Sequence, residues 1–303
     1  MKTIFFLVTA LTIALPTRAD GLKQNLVPAN SRWVLHLDVE AFRKSRIGAM
    51  IVEDKAESKV RQVKQDTKLD LDFSFNKITA ITAFGPKVGE NHDAAVLLIQ
   101  TTADVRSDLE KLIGFKELSG NGQPPISRIT ANGVEIYKIH DELNLVQAGE
   151  KMWLLSKNKA GLQAAREVVL GKAEGLKDAA LLNYPVVTNG FFFVALADTG
   201  SAGDSLPAHA KILQKAEGGR LAIGEKDDKI LFNLALRAKE ADTIAEMQQL
   251  VQGLVAFVKL AQSDNKDLST LVSSASVTTN QNYLSVDLSF PLNQAMQKVR
   301  EKE

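Results

Sequence analysis

Apolar and polar positions alternate from Leu35 to Glu40. In SRWVLHLDVEAFRKS (residues 31–45), Trp33, Leu35, Leu37 and Val39 fall on one side of an extended backbone, and Val34, His36, Asp38 and Glu40 fall on the other. The period predicts a strand over 33–39, then changes to that of a long charged helix over about 41–68. LDLDFSF (69–75) alternates again and leads into ITAITAFG (78–85). AAVLLIQT (94–101) is apolar on both faces, as an interior strand is. Asp104 is placed to cap a short helix carrying Leu109, Leu112 and Ile113 on one side. ISRITANGVEIYKI (126–139) reads as a hairpin turning at Asn132-Gly133; a second hairpin over 143–156 and a helix over 159–170 follow.

The same order then recurs. FFFVALAD (191–198) is a strand and 206–216 a helix, and GRLAIGEKDDKILFNLALRAK is a hairpin turning near Asp227-Asp228. A long helix over 239–262 carries Ile244, Met247, Val251, Leu254 and Val258 on one face, with Glu246, Gln248, Gln249 and Gln252 on its polar side. This pattern predicts burial between sheet and helix, or a dimer interface. A hairpin over 274–290 and a helix over 292–302 close the chain.

Three local matches recur in order. WVLHLD ending at Asp38 lies against FVALAD ending at Asp198. Asp104, Asp108, Leu109, Leu112 and Ile113 lie against Asp242, Glu246, Met247, Leu250 and Val251. RITAN ending at Asn132 lies against SVTTN ending at Asn280. The expectation is an α+β fold of two tandem β-α-β-β-α-β units, of the split βαβ or ferredoxin-like type, with mainly antiparallel sheets and an extra hairpin and helix in the first. The units span 31–175 and 190–303, joined by a glycine- and proline-containing linker over 176–189 and preceded by a polar leader over 20–30.

VPANSRWVLHLDVEAF, LDFSFNKITAITAFG and AAVLLIQTTADVRSDLEKLIGF resemble a family of exported bacterial proteins over most of residues 27–140. The resemblance rests on core and turn positions. It implies an exported, duplicated α+β protein and transfers no functional residue.

The N-terminus agrees with export. Lys2 precedes an uncharged apolar run over 3–15, Pro16 breaks it, and Thr17-Arg18-Ala19 offers small residues to a signal peptidase. The run is too short to span a bilayer, so a signal peptide over 1–19 is expected, cleaved after Ala19. No later segment has the long uncharged run of a transmembrane helix, and the mature protein is expected to be soluble, in a bacterial periplasm or secreted. The chain has no cysteine, which excludes a cysteine-linked lipid, disulfides, thiol catalysis and thiolate-held zinc. Removing Lys2 and Arg18 from 37 basic residues leaves 35 against 36 acidic ones. The two signs are interspersed, as in EDKAESKVRQVKQDTK (53–68), which reads as a solvated helix face. There is no basic stripe of the kind that nucleic acid or anionic lipid requires.

Candidate chemistry centres on His36 and Asp38. Two apart on a strand, they lie about 6.6 Å apart at Cα, close enough to share a zinc. Glu40 lies roughly 13 Å from His36 and is out of reach on a flat strand. A third ligand must come from elsewhere, and His92, His140 and His209 show no ligand spacing. The simpler reading makes Trp33, Leu35 and Leu37 the core and His36, Asp38 and Glu40 the wet face of a sheet. DTGSAGDS (198–205) follows a strand but lacks a phosphate-binding ending, and Asp70 and Asp72 read as the polar side of a strand. No G-x-S-x-G elbow occurs.

The sequence thus assigns no catalytic and no cofactor-binding residue, and keeps His36 and Asp38 as the metal candidates. The leading expectation is a non-enzymatic binding or envelope-assembly module for a protein, peptide or glycan, which could also form homo-oligomers. The alternative is a periplasmic hydrolase with a site assembled from scattered Asp, Glu, His and Ser residues.

Overall fold

The computed structural model describes residues 21–67, 72, 74–87, 94–113, 126–131, 133–139, 142–177, 181, 184, 190–198, 215–261, 266–280 and 282–301. The stretch 1–19 read as a signal peptide, the helix expected over 206–216 apart from its last two residues, and most of the linker lie outside these residues. The strands are β1 (Trp33–Asp38), β2 (Ile78–Gly85), β3 (Val96–Thr101), β4 (Ile126–Ala131), β5 (Val134–Ile139), β6 (Leu143–Gly149), β7 (Met152–Ser156), β8 (Phe191–Ala197), β9 (Gly218–Lys226), β10 (Lys229–Arg237), β11 (Ser276–Asn280) and β12 (Tyr283–Pro291). They form one 12-stranded sheet in the order β11-β12-β10-β9-β8-β1-β2-β3-β7-β6-β5-β4. The fold is therefore α+β, and the two halves of the chain share a single sheet.

Every pairing in that sheet is antiparallel. A split βαβ unit, itself antiparallel between neighbours, would instead keep its first and second strands parallel and apart, with the third strand between them. Here the chain leaves β1 through short helices and returns to pair beside it, Asp38 opposite Ala80 and Trp33 opposite Gly85. The strand order thus departs from the ferredoxin-like arrangement expected from element order.

The halves still follow one connectivity. Three strands meander outward from the centre (β1-β2-β3 and β8-β9-β10), a helix follows, and a hairpin then returns to lie beside the third strand (β6-β7 and β11-β12). The matched strands β1 and β8 meet in the middle, with Leu35 opposite Ala195, Trp33 opposite Ala197 and Leu37 opposite Phe193. In the alignment that sets Asp38 against Asp198, Leu35 and Ala195 are each other's counterparts, so the register is that of a local two-fold. By sheet position β11 corresponds to β6, so the RITAN–SVTTN match joins strands that are not equivalent. The β4-β5 hairpin is the extra one.

The helices are α1 (Val39–Lys44), α2 (Arg46–Ile51), α3 (Ser58–Thr67), α4 (Arg106–Leu112), α5 (Lys159–Val169), α6 (Ala241–Ala261), α7 (Lys266–Ser273) and α8 (Leu292–Glu301). The helix expected over 41–68 is broken. Asp38 caps α1 by accepting the Ala41 amide at 2.8 Å, and Ser45 ends it and caps α2 by accepting the Gly48 amide at 3.0 Å. A π-helical turn, Val52–Glu57, joins α2 to α3. Glu225 of β9 accepts the amides of Arg46 at 2.9 Å and Ile47 at 3.0 Å, which ties α2 to the other half.

Both faces of the sheet are apolar. On the first, Val34, Phe84, Leu98, Leu154, Val194 and Leu196 pack under Leu162 and Ala165 of α5 and under Leu22, Leu26 and Val27. The stretch read as a polar leader therefore contributes side chains to the core. On the second face, α6 covers Leu236, Leu284 and Val286 with Ile244 and Met247. Around Tyr137, Leu145 and Trp153, Leu109 and Leu112 of α4 pack on the opposite flank. The middle of this second face stays half open, and Leu35 is 40% exposed. This inverts the expected sides of β1, because the deeper layer lies over Val34 and His36. Ile244 and Met247 are buried and Val251 packs against them, while Leu254, Phe257 and Leu260 are exposed, so the burial expected along α6 holds over its first half.

Candidate functional site

His36 and Asp38 do not form a metal centre with a third ligand: among the described residues no three His, Cys, Asp or Glu side chains gather as one. His36 is buried, and its Nδ1 lies 2.8 Å from the Oγ1 of Thr82, its partner across the β1–β2 ladder. The carboxylate of Asp38 is engaged as the cap of α1. Asp72 is exposed and pairs with Lys77. Asp70, His92, His140, His209 and the 199–205 part of DTGSAGDS lie outside the described residues.

Among the described residues, one feature with binding geometry is a cavity of about 370 Å³ on the second face of the sheet, between α3, α4 and the strands. Its floor is Ile78 of β2, Ile99 and Thr101 of β3, Leu145 of β6 and Trp153 of β7. One wall is Val105 with Asp108, Leu109 and Leu112 of α4; the other is Lys59, Val60 and Val63 of α3. Asp104 sets the start of α4 by accepting the Arg106 amide at 3.0 Å. Asp108 accepts the Asp72 amide at 2.7 Å, fastening the entry to β2 across the end of the cavity. Behind the floor, the Tyr137 ring meets Trp153 edge-on at 5.9 Å and 62°. The Tyr137 hydroxyl donates to Glu110 at 2.9 Å, and Arg128 holds the same carboxylate oxygen at 2.8 Å. Burial, and then that bond, push the Tyr137 hydroxyl up to about 12.

The α3 wall hangs from the π turn. Glu57 at its end is buried and accepts from Ser74 Oγ at 2.8 Å and from the Asn76 amide at 3.1 Å. Reading residues 53–68 as a solvated face missed Val60 and Val63. Their i, i+3 spacing in an otherwise charged helix was the available signal. For Trp153 the strand pattern gave a place in a hairpin but nothing about a cavity.

No family model matches the chain, and no curated protein matches it. Solved structures do. Crystal forms III and I of TP0453 match with a TM-score of 0.51 at 9% sequence identity. The matches cover 90% and 91% of this chain and 96% and 95% of that one. The likeness is one of fold alone. It extends over nearly all of both chains and assigns no residue a role. Among the described residues no helix is long and apolar enough to cross a membrane.

Proposed function

We propose that this chain is an exported, non-enzymatic binding module that holds a small apolar ligand between α3, α4 and the sheet. The observation that carries the reading is the cavity itself. Among the described residues, Val60, Val63, Ile99, Leu109, Leu112 and Trp153 line a concave apolar hollow of about 370 Å³ that is open to solvent on one side, the setting in which an apolar molecule gains contacts. It falls within the roughly 300–1,000 Å³ range of small-molecule sites. It exceeds twofold the ~150 Å³ apolar cavity that admits benzene. The signal-peptide layout over 1–19 supports export, and the repeated connectivity with the symmetric β1–β8 register supports an origin by duplication. In that plan the extra β4-β5 hairpin builds on the half that carries the cavity.

The test is a titration of the mature chain with N-phenyl-1-naphthylamine, an uncharged dye that brightens in apolar surroundings. Saturable binding is expected, and Val63→Trp, which fills the cavity from α3, should weaken it by about tenfold or more, a change of roughly 1.4 kcal/mol. Phe257→Gln, on the exposed part of α6, should leave it unchanged. Dye binding that ignores Val63→Trp and disappears with Phe257→Gln would move the site to α6 and end this reading.

A further inference from the structure

The inside of the hollow and its rim differ in chemistry, and the difference narrows the class of ligand; the inference rests on the reading of the hollow as a ligand site. The lining is essentially wholly apolar. A charged group carried inside would lose its water and find no partner there. By the scale on which about 150 Å³ admits benzene, about 370 Å³ accommodates a hydrocarbon chain of roughly ten to fifteen carbons. Because the hollow is open on one side, such a chain fits inside while its terminal group stays in water.

One lining residue is both charged and exposed. Lys59 of α3 belongs to the same wall as Val60 and Val63, one turn before Val63. A lysine so placed lays its methylenes along the apolar wall and holds its ammonium out in water. Among the described residues Lys59 forms no ion pair, unlike the cations around it. Arg61 pairs with Glu53, Lys77 with Asp72, and Lys111 Nζ lies 3.8 Å from Asp108. The carboxylates at that end are engaged as well. Asp108 is buried and accepts the Asp72 amide. Lys77, hydrogen-bonded to Asp72, and then the charges of Lys64 and Lys111 hold the exposed Asp72 carboxyl below its usual range. The rim therefore offers an uncompensated positive charge at Lys59.

We propose that the ligand is a fatty carboxylate, with its hydrocarbon chain in the hollow and its carboxylate outside at the rim, beside the Lys59 ammonium. The apolar walls supply the affinity, and Lys59 selects the sign of the headgroup. An ion pair in water is weak, so the selection is modest. Attraction of an anion together with repulsion of a cation is expected to separate the two headgroups by roughly five- to tenfold at low salt.

The experiment uses the mature full-length chain and two probes of matched chain length, dodecanoate and dodecyltrimethylammonium, each kept below the concentration at which it forms micelles. Affinities come from displacement of N-phenyl-1-naphthylamine at low salt. Dodecanoate should bind about five- to tenfold more tightly than the cation, and added salt should narrow the gap. Lys59→Gln should lower the ratio of the two affinities by about two- to fivefold, and Lys59→Glu should lower it further. Lys229→Gln, an exposed lysine on β10 in the other half, should leave the ratio unchanged. If a Lys59 variant does not fold, the ratio and its salt dependence in the unaltered chain decide. Equal displacement by the two probes, or tighter binding of the cation, overturns the carboxylate and leaves the cavity standing as a ligand site. A preference for dodecanoate that survives both Lys59 variants overturns the placement of the headgroup at Lys59. Displacement by neither probe, with no binding of the dye, overturns both this inference and the reading beneath it.

Discussion

Tyr137 is where a single hydroxyl sets a measurable property of the fold. In the unfolded chain it ionises near pH 10; in the folded protein, burial and the bond to Glu110 hold it to about 12. Between those values the unfolded state releases a proton that the folded state keeps, so stability falls as pH rises from 10 toward 12. Urea midpoints taken from pH 8 to 11 should fall more steeply above 10 in the wild type than in Tyr137→Phe. At pH 8 the variant should be less stable by about 1 kcal/mol, from the lost bond to Glu110. Parallel pH profiles would show that Tyr137 does not carry the effect. His36 shows how far such groups could be read beforehand. Alternation located the strand, but polarity gave the wrong side, because Thr82 on the neighbouring strand engages the imidazole Nδ1. The histidine lies in the core beside that hydroxyl, and a partner 46 residues away is invisible in a local pattern.

At the scale of elements, α3 depends on a contact outside itself. It is charged, ten residues long and too short to be stable alone in water. The buried carboxylate of Glu57 fastens its start to Ser74 and to the Asn76 amide just before β2. Glu57→Ala removes both bonds and should cost about 1–3 kcal/mol. The sharper readout is hydrogen exchange: amides of α3 should exchange faster in the variant, while those of α5, which packs on the other face, keep their protection. Dye binding should weaken together with α3, since Val60 and Val63 form one wall of the cavity. Unchanged exchange across α3 would remove Glu57 as its anchor. The sequence showed a helical period here and hid the break at Ser45, since a serine tolerated in a helix also caps the next one. Strands and hairpins were more legible. The two-residue turn at Asp227-Asp228, both with positive φ, lies where the pattern predicted it.

At the scale of the molecule, the two sequence halves depend on each other. The β1–β8 ladder lies at the centre of the sheet, so removing either half bares a strand whose hydrogen bonds and side chains are both committed. Val194 and Leu196 belong to the same buried cluster as Val34 and Phe84. Three further ties cross between distant parts of the chain. Asp198 donates its amide to the Arg32 carbonyl at 2.8 Å, Glu225 caps α2, and the Leu176 amide reaches the Val27 carbonyl at 2.7 Å. Composition and periodicity read the chain as two units with a linker, because pairing partners 160 residues apart leave no local trace. The structure instead predicts one cooperative unit. Urea unfolding of the mature chain should be a single transition, with coincident midpoints by far-UV circular dichroism and tryptophan fluorescence. The fragments 20–177 and 190–303, expressed separately, should each fail to give a folded monomer, the first by baring the β1 edge and the second by baring β8. The tryptophans, Trp33 and Trp153, both lie in the first half, so fluorescence reports that half while dichroism reports the whole. Two separated transitions, or a 20–177 fragment that folds and still binds the dye, would show that the cavity-bearing half is independent and that the central ladder is only a contact between domains.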